Sequence, residues 1–72
     1  MSHVFIQPRP KSAGQVSPIA YYAVEDDADH VLRTFNLQGD AIRWAKRQGH
    51  RPLIARTRHL SDKRIPGHWR EA

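Results

Sequence analysis

Asn36-Leu37-Gln38-Gly39-Asp40-Ala41-Ile42-Arg43-Trp44-Ala45-Lys46-Arg47-Gln48-Gly49 is the stretch that decides the fold. Leu37, Ala41, Trp44, Ala45 and Gln48 fall within a narrow arc of a 3.6-residue wheel, and Arg43, Lys46 and Arg47 lie opposite. The spacing predicts an amphipathic helix of about twelve residues. Asn36 is placed to cap its N-terminus, Asp40 suits the positive end of the helix dipole, and Gly49 followed by Pro52 stops it. Trp44 is expected between the helix and a sheet, against Phe35, Tyr22 or Val24, as a large share of the core.

Working outward, the period changes from 3.6 to two on both sides. His3-Val4-Phe5-Ile6-Gln7 is a β-branched and aromatic run ended by Pro8-Arg9-Pro10, which predicts a strand over about 3–7. Residues 8–18 hold three prolines, two serines and a glycine with no apolar period, the chemistry of a flexible loop. Ile19-Ala20-Tyr21-Tyr22-Ala23-Val24 and Val31-Leu32-Arg33-Thr34-Phe35 flank an acidic turn and predict a hairpin. After the helix, Leu53-Ile54-Ala55-Arg56-Thr57-Arg58 predicts a last strand, with Arg56 and Arg58 outward. The tail, residues 61–72, contains Pro66-Gly67 and is expected to be irregular.

The expectation is therefore one small α+β domain over residues 1–72, in the order β-β-β-α-β, with an antiparallel-type sheet and one amphipathic helix on one face. One helix leaves the other face to be polar, to be covered by the tail or to be buried against another chain.

Composition excludes more than it selects. With 72 residues there is no room for a large enzyme fold, and without cysteine there are no disulfides, thiolate zinc sites or cysteine nucleophiles. The longest uncharged apolar run, Ile19–Val24, is far short of the roughly 20 residues that span a bilayer, so neither a transmembrane helix nor a signal peptide is expected. Twelve Lys and Arg against seven Asp and Glu give a net charge of +5. The excess lies wholly in residues 37–72, and nine of the twelve cations are arginine, whose planar fork suits phosphate.

Tyr22-Ala23-Val24, Phe35, Ala41-Ile42, Ala45, Leu53-Ile54 and Asp62-Lys63-Arg64-Ile65, spanning residues 19–65, resemble a short bacterial family catalogued as domain of unknown function 2188. The chain departs from that family in lacking its Gly-Gly-Trp before Ala-Val, in having Leu37 where a threonine is usual, and in reading Pro66-Gly67-His68-Trp69 where the family ends in Ser-Tyr-Gly. The resemblance implies a fold and a bacterial cytoplasmic setting, and no activity. Ala23-Val24, Phe35, Ala41 and Ala45 are also similar to the plant-type and integrase-arm domains that lay a three-stranded sheet in the DNA major groove, which implies that Arg33, Arg56 and Arg58 face the groove.

Among candidate sites, Arg43, Lys46, Arg47 and Arg51 with Arg56 and Arg58 on the last strand compose a basic surface suited to a phosphate backbone. The plainer alternative is a solvated helix face. Trp69, between His68 and Arg70, is placed either to stack on a base or to pack against the fold. Glu25, Asp26, Asp27 and Asp29 lack the glycine and distal glutamate of a cation loop, and His50, His59 and His68 do not share a helix face, so no metal or other cofactor is expected. No serine or threonine is singled out as a nucleophile and no small-molecule substrate is implied. The expected role is a non-enzymatic accessory module binding DNA or RNA weakly and salt-dependently; the alternative is a homodimer formed through the uncovered sheet face or an edge strand, burying Tyr21 and Ile54.

Overall fold

The computed structural model describes residues 3–10, 18–56 and 62–72. Strands β1 (His3–Arg9), β2 (Tyr21–Glu25) and β3 (Val31–Phe35) precede helix α1 (Gln38–Arg47) and strand β4 (Arg51–Ala55). A single 3-10 turn, Pro66–His68, then leads into β5 (Trp69–Glu71). The fold is α+β, and its first five elements follow the expected order β-β-β-α-β.

The sheet is mixed, which corrects the antiparallel expectation. Its order is β3-β2-β1-β4-β5, with β1–β2, β2–β3 and β4–β5 antiparallel and β1–β4 parallel. The reason is the helix. Two hairpin steps make β3 parallel to β1, and α1 carries the chain back so that β4 starts at the end where β3 started. β4 therefore enters beside β1 in the same direction, pairing His3 with Arg51 and Ile6 with Ile54.

β1 runs two residues past the expected end, through Pro8. The Arg9 carbonyl accepts from the Ala20 N–H on the β2 side, so by alternation the Pro8 nitrogen faces the β4 side. Pairing with β4 has already ended at Ile6–Ile54, and no ladder bond is lost. The rest of the expected loop, residues 11–17, lies outside the described residues, as do Thr57 and Arg58. The tail is not irregular from Pro66 onward. Trp69 pairs with Ala55 and Glu71 with Leu53, closed by hydrogen bonds from Arg56 N–H to the His68 carbonyl and from Ala72 N–H to the Pro52 carbonyl.

The helix starts one position later than a cap at Asn36 would allow. Leu37 occupies the cap position with extended backbone and no side-chain cap, and lies 63% exposed instead of on the inner arc. At the other end Gly49 adopts φ 81°, donating to the Lys46 carbonyl while the His50 N–H reaches the Ala45 carbonyl. This crossed pair satisfies carbonyls that the helix leaves open and requires the left-handed conformation that glycine adopts freely.

Val4 and Ile6 of β1, Val24 of β2, and Ala41 and Ala45 of α1 form the helix-side core, with Tyr22, Phe35, Ile42 and Trp44 packed at its margin. The two alanines let the helix approach closely, and this moves Trp44 off the centre. Its indole meets Phe35, at 5.9 Å between centroids, but is only partly buried. The buried indole is Trp69, 5% exposed, which stands edge-on to Phe5 at 4.7 Å on the opposite face of the sheet. Its Nε1 donates to the Asp62 carbonyl, so residues 62–68 form a strap across that face. Packing, the plainer of the two roles open to Trp69, is the one it adopts.

Candidate functional site

Charge on the strapped face is buried and paired. Glu25, opposite Phe5 in the register, has a side chain 6% exposed. Arg9 Nη2 donates to Glu25 Oε2 at 2.5 Å, and Lys63 Nζ donates to Glu25 Oε1 at 3.1 Å. Arg9 pairs with Tyr21, four positions from Glu25, so the two long side chains must lie along the sheet, over the small and buried Ala23. Lys63 Nζ also donates to the Asp26 carbonyl and Asp29 Oδ1, and lies 5.1 Å from the Phe5 ring centroid. Buried Gln7 Oε1 and Arg9 Nη1 have no hydrogen-bond partner among the described residues.

Two acidic residues of the β2–β3 turn, Asp26 and Asp29, are also paired. Asp26 Oδ1 accepts from the backbone N–H groups of Ala28 and His30, and its Oδ2 lies 3.1 Å from His30 Nδ1. The His30 N–H is the main cause holding the Asp26 carboxyl below its usual range. In the strap, the side chain and backbone N–H of Arg64 hold the Asp62 carboxyl down to about 2. The turn is an ordinary closed hairpin, with Asp29 at φ 66° in the position such three-residue loops reserve for left-handed backbone. Among the described residues no three of His, Cys, Asp and Glu gather as metal ligands.

The basic surface anticipated from the sequence divides. Arg43, Lys46 and Arg47 are exposed on α1, and Arg51 is exposed where β4 begins, just beyond the helix end. Arg43 pairs with Asp40 one turn earlier, and Arg51 Nη1 stands 4.0 Å from Glu71 Oε1. Lys46 and Arg47 make no ion pair among the described residues. Arg56 lies just past the far end of β4, roughly 16 Å from Arg51 at about 3.3 Å per residue, and its Nε donates to the Trp69 carbonyl. It is not part of the same surface, and Arg58 lies outside the described residues.

The groove-facing set dissolves as well. Arg33 pairs with Val24 and covers the Phe35 ring at 5.8 Å, so it stands on the helix side of the sheet. Nor do Tyr21 and Ile54 meet: Ile54 pairs with Ile6 and is buried, whereas Tyr21 is on the other face and exposed. An interface built from that pair is not available.

A cleft of about 240 Å³ opens at the C-terminal end of α1. It is lined by Lys46, Gly49, His50, Arg51, Pro52, Glu71 and Ala72. The ring of His50, one of these residues, lies 6.2 Å from the indole of Trp44, so a partly exposed aromatic stands next to a cleft that Lys46 and Arg51 also line. The wheel found the cations; the cleft depends on Gly49 folding the chain back, which residue spacing alone does not convey. No family model, curated protein or solved structure matches the chain.

Proposed function

We propose that this domain is a small non-enzymatic module that binds nucleic acid through the outer side of α1 and the start of β4. Arg43, Lys46, Arg47 and Arg51 are the phosphate contacts. The observation that carries the reading is charge segregation. Glu25, Asp26, Asp29 and Asp62 are tied to Arg9, Lys63, His30 and Arg64, while Lys46 and Arg47 stand exposed without an ion pair among the described residues. A solvated helix face is normally mixed in sign; this one is short of carboxylates.

Neutralising three or four phosphates gives log affinity a slope against log salt of about −2.7 to −3.6, with micromolar or weaker affinity at physiological salt. Anisotropy titrations of labelled oligonucleotides over a salt series test it, and Arg47→Ala should reduce the slope by about one. Absence of binding at low salt to duplex, single-stranded DNA and RNA alike removes the proposal. Kinship with the domain of unknown function 2188 family, and the bacterial cytoplasmic setting it implies, is proposed on Tyr22, Phe35, Ala41 and Ala45, residues that join helix to sheet here.

A second reading, self-association, is favoured by β3. It is an edge strand of five residues with Val31 57% and Leu32 43% exposed, whereas β5 at the opposite edge has three residues. A register shift at Val24/Glu25 limits how much of β3 presents a regular edge. Sedimentation returning a strict monomer at high micromolar concentration removes this reading.

A further inference from the structure

We infer that the ligand is single-stranded: the cleft at the end of α1 takes one backbone phosphate between Lys46 and Arg51 while an unpaired base stacks on Trp44. This rests on the nucleic-acid reading and narrows it. Three features converge. The indole of Trp44 is only partly buried although it belongs to the helix that covers the core, and it follows Arg43 and precedes Arg47 by one turn. Its indole also lies 6.2 Å from the ring of His50, a lining residue of the cleft, so the indole and the phosphate seat are adjacent. Arg51 is held only loosely by Glu71, at 4.0 Å with both side chains more than half exposed, and a phosphate competes readily for it.

A nucleotide presents a flat base and a charged phosphate within a few ångströms, and an unpaired strand leaves the base face free. In a duplex the same face is hidden in the stack, so Trp44 contributes nothing and only the phosphate contacts remain. The cleft volume of about 240 Å³ is below the roughly 300–1,000 Å³ of pockets that enclose drug-sized ligands, which suits a phosphate seat and not a whole cofactor.

The test compares an oligothymidylate of about twelve nucleotides with a duplex of equal length at one low salt concentration. The single strand should bind at least tenfold more tightly and quench tryptophan emission, the second indole, Trp69, being buried on the other face of the sheet. Trp44→Leu should weaken single-strand binding by about 5- to 100-fold and duplex binding by less than twofold, whereas Trp44→Phe keeps most of the single-strand affinity. Lys46→Gln combined with Arg51→Gln should weaken both ligands and flatten the salt slope. The quench in the unaltered protein is read without any variant having to fold. Equal affinity for the two ligands without quenching overturns the single-strand assignment and leaves the wider reading standing; no binding to either removes both.

Discussion

The two faces of the sheet are stabilised by different physics. On the helix side, an aliphatic centre of Val4, Ile6, Val24, Ala41 and Ala45, flanked by Tyr22, Phe35 and Trp44, excludes water without a buried charge among the described residues. On the strap side, an apolar pair, Phe5 and Trp69, shares the surface with a buried carboxylate that both Arg9 and Lys63 must satisfy. Aliphatic packing tolerates small adjustments, because each contact is weak and undirected. A buried charge cluster does not: removing one partner leaves another ion without compensation. In a domain this small, the face with fewer apolar residues is expected to be the more sensitive to single changes.

The sharpest way to break that contrast is Trp69→Ala. Truncating a buried indole costs about 3–5 kcal/mol, and domains of this size seldom have more than about 3–5 kcal/mol in all, so the variant should be largely unfolded by circular dichroism at 25 °C. A variant that melts like the parent would mean that the strap is not part of the cooperative fold. Next, Lys63→Met keeps the aliphatic stem but removes three donors; it should lower stability by about 1–3 kcal/mol in urea titration. No loss there would show that Arg9 alone suffices for Glu25. On the other face, Trp44→Ala should cost only about 1–2 kcal/mol, since its ring is partly solvated and packs at the margin. A cost equal to that of Trp69→Ala would abolish the asymmetry.

The smallest effect is with pH. The Asp62 carboxyl is lowered in the folded state, so its contribution to stability is complete above the unfolded value near 3.8 and is lost as pH falls towards about 2. Asp26, lowered chiefly by the His30 N–H, acts with the same sign. The Trp69 indole N–H resonance, which reports the bond to the Asp62 carbonyl, should shift between about pH 4 and pH 2, before the helix signal changes. An indole resonance unaltered to pH 2 would uncouple the strap from Asp62.

The hairpin, helix and following strand were legible because each carries its own period over five residues or more. β5 was not: three residues after Pro66-Gly67 are too short for a period and form a strand only because β4 offers an open edge. The wheel misplaced Leu37 because it assumed that the helix included it, and it weighted Trp44 for size although two alanines decide how near the helix sits. Parallel pairing of β1 with β4 left no local trace at all. Glu25 did leave one. Period two along Tyr21–Glu25 sets it on the face with Tyr21 and Ala23, and a carboxylate ending an inward row is a sign that a cation must come to it. Of the proposed binding residues, the helix cations and Arg51 were readable from spacing, while the cleft between them needed the turn at Gly49.

The first strand occupies the middle of the sheet, and its parallel neighbour begins 48 positions further along, where His3 meets Arg51. During synthesis the opening hairpins and the helix precede the partner that flanks β1 on its other side. A growing chain thus carries an unpaired central edge until residues 51–55 are made, at ordinary elongation rates of about 5–20 residues per second. Refolding should accordingly be governed by closure of that long loop. It should be slower than in a helical bundle of equal length, within the millisecond-to-second range typical of β-rich topologies, as stopped-flow fluorescence would read it.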